Sequence, residues 1–109
     1  MPDDLYKIKE EQLKTLVDSN SQDIYILDIR SAEDYAKGHI KGAHNIPFKE
    51  VGKDLANLPK DKIIIVYCYT GQTGGQTTAV LNMAGFNARS LKGGMNNGWL
   101  RLDYPVVSI

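Results

Sequence analysis

The chain has 109 residues, of which 42% are hydrophobic and 24% charged, with 13 basic residues balancing 13 acidic ones. This length suits one domain, and the composition excludes disorder driven by low hydrophobicity and high net charge. Balanced charge gives no overall field that would attract nucleic acid or an acidic membrane surface, so we expect neither as a partner.

The single cysteine and the hydropathy profile point to a reducing compartment. Cys68 has no partner for an intramolecular disulfide, and one thiolate cannot build a four-cysteine zinc site. The N-terminal segment 1–12 is polar and acidic, unlike a signal peptide. The apolar run 63–68 is far shorter than the ~20 residues that span a bilayer. We therefore expect 1–109 to be a single cytoplasmic domain.

The first elements in chain order alternate between strand and helix. An edge strand is expected near Ile8, and the i, i+3, i+4 spacing of Leu13, Leu16 and Val17 predicts a helix after it. Residues 24–27 form a continuous run rich in β-branched side chains. Because a strand with one solvent face would alternate, this run indicates a strand covered on both faces.

A short helix and a second covered strand follow. Ser31 and Asp34 resemble a capping pair that begins the helix, and Gly38 is suited to end it. The run 63–67 is again continuous and β-branched, and Cys68 comes directly after it.

The last third begins with a turn rich in glycine and threonine, over residues 69–75. A helix is expected after this turn, with Ala79, Val80 and Met83 on its packed face and Gly85 at its end. A final strand covers 88–91. Strands and helices that alternate along the chain imply an α/β fold with a parallel sheet and helices on both faces.

Cys68 stands where open parallel sheets place their sites, beyond the carboxyl end of a strand. The glycines after it allow successive peptide N–H groups to face one centre at the start of a helix. Such a concavity favours an anion, so a cysteine sulfur within it is expected to be held as a thiolate.

Cys68 and its loop also admit other interpretations. A lone cysteine is commonly a buried, inert hydrophobic residue. A phosphate-binding P-loop is excluded because the turn lacks the Gly-Lys-Ser/Thr ending. No His, Asp or Glu adjoins Cys68 in sequence, so a Cys-His hydrolase has no support. Between Lys62 and Leu102 the chain has no acidic residue, and four cations there predict a mildly basic surrounding for Cys68: Lys62, Arg89, Lys92 and Arg101.

Three segments in the same order resemble the rhodanese-like (sulfurtransferase) domains. They are LDIRSAEDYAKGHIKGAHNIP, IIIVYCYTGQTGGQTTAVLNMAGF and LKGGMNNGW, and together they extend over nearly the whole chain. The resemblance implies a three-layer α/β domain with a five-stranded, mostly parallel sheet. It also implies that Cys68 carries sulfur as a persulfide.

Carried over by position, the resemblance places the persulfide in a loop whose backbone amides cradle it. The loop residues are Cys68, Tyr69, Thr70, Gly71, Gln72 and Thr73, and the amides of residues 69–74, Gly74 included, are expected to form the cradle. The related dual-specificity phosphatases have a loop one residue longer that ends in an arginine. No arginine lies between Cys68 and Arg89, so sulfur is expected in preference to a phosphate ester.

The loop also departs from family members that use thiosulfate, which place Arg or Lys where Tyr69 and Thr70 stand here. Sulfur donors of lower charge than thiosulfate, such as persulfides, are therefore expected in addition to thiosulfate. Asp28, Arg30 and His39 are expected to tie loops together, and no metal or cofactor is expected. Tyr69 and Trp99 are candidates for an apolar rim, with packing as the alternative for Trp99; Met83 and Met95 are expected to pack.

The expected function is transfer of a sulfane sulfur from a small donor (thiosulfate or a persulfide) to a thiol or cyanide acceptor through Cys68. A protein that accepts the sulfur is a further candidate partner. The alternative is a sulfur-relay or protein-interaction module with little turnover of small molecules.

Overall fold

A computed structural model describes residues 6–109; the first five residues of the polar N-terminal segment lie outside the described residues. The strands are β1 (Lys7–Ile8), β2 (Ile24–Asp28), β3 (His44–Asn45), β4 (Ile63–Tyr67) and β5 (Asn87–Leu91). The α-helices are α1 (Glu10–Asp18), α2 (Ala32–Lys37) and α3 (Gly71–Met83). Short 3-10 helices cover Phe48–Lys53, Leu55–Asn57 and Leu100–Leu102, and a π-helical turn covers Met95–Trp99.

The described residues form a five-stranded sheet with the order β1-β5-β4-β2-β3, and every neighbouring pair is parallel. Side chains of the central strand β4 alternate between two cores. Ile64 and Val66 pack with α3 and the 3-10 segments, whereas Ile65 and Tyr67 pack with α1 and the π-helical turn. This arrangement confirms the predicted α/β fold with helices on both faces of the sheet, because continuous apolar strands need cover on each side.

Helix α3 begins earlier than the sequence predicts. It starts at Gly71, with Thr70 as its N-cap, so the glycine-rich stretch is mostly helical rather than a loop. Tertiary packing selects the glycine at its first position: a Cβ on Gly71 would lie 2.4 Å from the carbonyl oxygen of Lys92. Close approach of two backbones therefore explains this glycine.

The predicted packed face of α3 is wrong. Val80 is 53% exposed and Met83 is 88% exposed, whereas Thr77, Thr78 and Leu81 are buried. Leu81 lies four and three residues after the two threonines, so these three share one face of the helix. This face lies against the sheet, with Leu81 in the core, so Val80 and Met83 on the other side of the helix face solvent.

None of the helices within residues 6–109 combines the length and the apolar character needed to cross a membrane.

Candidate active site

Cys68 follows the carboxyl end of β4 and lies beneath the first turn of α3. Its side chain belongs to the same core as Ile64 and Val66, and the residue is 4% exposed. The Gly74 N–H donates to the Cys68 sulfur at an N···Sγ distance of 3.2 Å. The Sγ–H group in turn donates to the carbonyl oxygen of Thr70. The sulfur thus contacts one peptide donor from the N-terminal turn of a helix, where the partial charge is positive.

The predicted cradle of six loop residues is only partly visible in this geometry. Within residues 6–109, Gly74 supplies the peptide N–H that reaches Sγ, and the Gln72 N–H is 3.5 Å from the hydroxyl oxygen of Thr70 instead. Gly71, Gln72 and Thr73 form the start of α3 rather than an open loop. The assignment of all six residues to persulfide binding remains a prediction.

A glycine turn after β5 holds the cysteine loop in place. The amides of Met95 and Asn96 donate to the carbonyl oxygens of Cys68 and Tyr69, at 2.9 and 2.8 Å. Gly94 has φ +66°, and a Cβ there would lie 2.5 Å from the Thr70 carbonyl oxygen. Only glycine combines this backbone conformation with such a close approach. The Gly-Gly doublet was visible in the sequence, but its contact with the cysteine loop was not.

Glu10 supports the glycine turn behind the cysteine loop, a role that the sequence did not predict. Its carboxylate accepts a hydrogen bond from the Gly93 N–H at 2.8 Å, across 83 residues of chain. A Cβ on Gly98 would clash with the same side chain. Helix α1 therefore braces the glycine turn that holds the cysteine loop, and no local pattern around Glu10 signals a contact of this range.

The loop after β2 lies beside the cysteine loop, because Asp28 and Tyr67 are paired in register. Arg30 donates to both carboxylate oxygens of Asp28, with an Nη2···Oδ2 distance of 2.7 Å, and to the Gly38 carbonyl oxygen at 2.6 Å. Both side chains are buried. The pair joins the end of β2 to the end of α2, and the Nε and Nη2 groups of the guanidinium donate to protein acceptors.

Tyr69 connects the cysteine loop to α2. Its hydroxyl group donates to the Asp34 carboxylate, and that hydrogen bond lowers the pKa of Asp34 below its ordinary value. The Arg30 guanidinium lies 5.9 Å from the centroid of the Tyr69 ring. A surface cavity of about 350 Å³ borders this contact. Its lining includes Arg30, Asp34, Lys37, Tyr69, Met95 and Asn96.

His39 and Trp99 have structural surroundings. The His39 Nδ1 atom is 2.8 Å from the Tyr35 carbonyl oxygen, and the two rings stack with centroids 3.8 Å apart. Trp99 is 1% exposed and its indole N–H donates to the Pro105 carbonyl oxygen, so it packs in the core and does not form an apolar rim. Met95 is also buried. Residues 6–109 contain no group of three His, Cys, Asp or Glu side chains arranged to hold a metal.

The predicted basic surrounding of Cys68 is wrong for Lys62 and Arg89. Lys62 precedes β4, at the opposite end of the strand from Cys68, and five strand residues separate the two by roughly 17–20 Å. Arg89 is engaged with Asn87 and Ala88 in β5. The cations that line the cavity beside the loop, Arg30 and Lys37, come from the first half of the chain.

Comparison with known proteins identifies the family. The sequence model described as Rhodanese-like domain matches residues 9–101, which is most of the chain. The chain belongs to the rhodanese-like domain family. This confirms the resemblance carried by the three sequence segments, and the match includes Cys68 together with both loops described above.

Relatives of this rhodanese-like chain carry sulfurtransferase names. It is 32% identical to Thiosulfate sulfurtransferase GlpE of Pseudomonas aeruginosa over 107 residues, covering 97% of this chain and 93% of that protein. It is 36% identical to Thiosulfate sulfurtransferase PspE of Escherichia coli over 73 residues, covering 65% and 70%. A rhodanese-related protein from Thermoplasma volcanium has a similar structure, with a TM-score of 0.84, 27% identity and coverage of 93% and 96%. The fold is thus shared with a solved rhodanese-related structure, and the GlpE and PspE relatives are named as sulfurtransferases.

Proposed function

We propose that this rhodanese-like protein transfers a sulfane sulfur from a small donor to a thiophilic acceptor through a persulfide on Cys68. The observation that carries the proposal is the hydrogen bond from the Gly74 N–H to the Cys68 sulfur at the first turn of α3. A fixed peptide dipole at this position stabilises negative charge on the sulfur, both in the attacking thiolate and in the persulfide.

The reaction has two half-reactions. In the first, the Cys68 thiolate attacks the outer sulfur of the donor, the sulfur–sulfur bond of the donor breaks, and the remainder leaves with the electron pair. With thiosulfate the products are the Cys68 persulfide anion and sulfite. In the second, an acceptor thiolate or cyanide attacks the outer sulfur and releases the Cys68 thiolate.

The surroundings of Cys68 favour sulfur over phosphoryl chemistry. A phosphate ester needs a guanidinium group that can bind its oxygens in a bidentate manner. Arg30, which lines the neighbouring cavity, already donates to Asp28 and Gly38. The loop itself contributes no arginine.

We further propose a thiol as the natural acceptor, either small or on a protein, and a reducing compartment such as the cytoplasm as the place of action. A solitary cysteine can cycle between thiol and persulfide without a second cysteine only if the acceptor comes from outside the chain.

The test is mass spectrometry of the protein after incubation with thiosulfate or a low-molecular-weight persulfide, followed by cyanide. We expect one added sulfur on Cys68, its removal by cyanide, and neither step in Cys68→Ser. Full cyanide-dependent turnover by Cys68→Ser would contradict the proposal.

Cys68 is almost completely buried, which would slow its reaction with small molecules. This burial supports a second candidate function, a sulfur-relay or protein-interaction module. Slow thiosulfate turnover combined with rapid persulfide transfer to a partner thiol would favour the relay. Complete failure to form a persulfide would favour a pure interaction domain.

A further inference from the structure

The cavity beside the cysteine loop carries charges of both signs, and their arrangement bears on the choice of donor. It is bordered by Tyr69, the residue after Cys68, and by Met95 and Asn96, whose amides hold the carbonyl groups of Cys68 and Tyr69. Any donor that approaches the loop from the side of Tyr69 passes the charged residues of this cavity.

The two cations of the cavity, Arg30 and Lys37, are each poorly placed to bind an anionic donor. Arg30 is buried in a bidentate pair with Asp28, so the carboxylate offsets most of its charge before any donor arrives. Lys37 is exposed on the last turn of α2, where its long side chain and its hydration weaken its hold on a ligand.

The carboxylate of the cavity is positioned more firmly. Asp34 accepts a hydrogen bond from the Tyr69 hydroxyl group, which fixes its negative charge beside the cysteine loop. A dianion such as thiosulfate is repelled by this charge, and a donor that bears an ammonium group is attracted by it.

We propose that Asp34, held by Tyr69, is a specificity-determining residue that disfavours anionic sulfur donors, so that the preferred donors are organic persulfides with a neutral or positively charged end. This inference rests on the proposed function. The step itself is the attack of the Cys68 thiolate on the outer sulfur of R–S–SH: the donor's sulfur–sulfur bond breaks, the thiolate R–S⁻ leaves with the electron pair, and the outer sulfur keeps its proton in the Cys68 persulfide.

The experiment compares three donors that differ in charge. The persulfides of cysteamine and of 3-mercaptopropionate present the same S–SH group on a cationic and an anionic chain, and thiosulfate is a dianion. The second-order rate constant for Cys68 persulfide formation is measured by single-turnover mass spectrometry with the native sequence and with Asp34→Asn. Asparagine retains an acceptor for the Tyr69 hydroxyl group while removing the charge.

Removal of one charge near the path of a donor changes its rate by about threefold per donor charge. In Asp34→Asn we expect the cationic persulfide to react about threefold more slowly and the anionic persulfide about threefold faster. Thiosulfate should react about tenfold faster, since it carries twice the charge. Added salt should shrink all three changes.

Two further variants make the test specific. Glu33→Gln removes the same charge from the neighbouring exposed position, which does not line the cavity, and should leave the ratio of the two persulfide rates close to that of the native sequence. Lys37→Gln should move the ratio in the opposite direction, toward the cationic donor, and Asp34→Ser, which also removes the carboxylate, provides the test should Asp34→Asn fail to fold.

The outcomes separate the two proposals. If no donor forms a persulfide on Cys68, the proposed function is overturned and the inference falls with it. If the donors do react but the ratio is the same in Asp34→Asn, Glu33→Gln and the native sequence, sulfur transfer stands and the role of Asp34 is overturned.

Discussion

Two loops leave the sheet side by side, after β2 and after β4. They differ in how their buried polar side chains are paired. In the first, Asp28 and Arg30 satisfy one another and the Gly38 carbonyl group. In the second, the Cys68 sulfur has one peptide donor and one carbonyl acceptor. In the first loop, the two opposite charges therefore pair with each other and hold the backbone in place. The second places a buried, polarisable sulfur at a helix N-terminus, where the partial positive charge favours the thiolate that the proposed function needs.

The largest effect of a substitution is expected in the first loop, after β2. Arg30→Met leaves the Asp28 carboxylate buried without its partner and is expected to lower the free energy of unfolding by about 3–5 kcal/mol. Urea denaturation measures this loss. Asp28→Asn combined with Arg30→Met should recover part of the stability, because the buried charge is then removed. Equal stability of the single variant and the native protein would show that the pair is not what secures this loop.

The second loop can be displaced through its support. Gly94→Ala adds a Cβ 2.5 Å from the Thr70 carbonyl oxygen at a residue with φ +66°. Overpacking and the left-handed backbone together are expected to cost about 3 kcal/mol of unfolding free energy. Gly52→Ala, where an added Cβ meets nothing within 4 Å, is the matched control and should be close to neutral. Thermal unfolding of both variants decides the matter, and similar melting temperatures would contradict the close contact.

The reactivity of the second loop can be tested one atom at a time. Cys68 offers a ligation point for a synthetic segment in which glycolic acid replaces Gly74, so that an ester oxygen takes the place of the N–H group. Loss of a hydrogen bond to a charged group costs about 1.5–3 kcal/mol, which corresponds to a fall in the rate of persulfide formation of about 10- to 100-fold.

The same ester at Gly75 serves as the control for this experiment. It lies in the same turn of α3 but does not donate to the sulfur, so persulfide formation should proceed at the native rate. Equal rates for the two esters would remove the Gly74 donor from the mechanism.

The smallest expected effect lies between the loops, at the Tyr69–Asp34 hydrogen bond. Because the Tyr69 hydroxyl group stabilises the charged carboxylate, the pKa of Asp34 is lowered in the folded protein. This contribution to stability is present above the ordinary Asp pKa of about 3.9 and is lost as the pH falls through the lower folded value. Tyr69→Phe should raise the pKa of Asp34, as followed by NMR titration. An unchanged titration curve would show that the hydrogen bond does not form in solution.

Local sequence patterns determined much of this protein. The continuous β-branched runs that became β2 and β4 predicted a parallel sheet covered on both faces, since such strands can be buried only between two layers. The position of Cys68 at a strand end before a glycine-rich segment predicted the candidate site. The Ser31 cap also acts as expected, accepting the Asp34 N–H at the start of α2.

Tertiary structure alone decided which neighbours the cysteine loop has. Glu10 and Asp34 contact it or its support across 83 and 35 residues of chain, and no periodicity reports a contact at such separations. Packing against the sheet decided which face of α3 is buried: Thr77, Thr78 and Leu81 lie on that face, and Met83 is in solvent. Lys62 is close to Cys68 in sequence but lies at the other end of β4, because six residues of extended backbone span the full length of the strand. The positions of charged residues along the chain therefore predicted the wrong cations near Cys68. The folded structure shows that Arg30 and Lys37 line the neighbouring cavity.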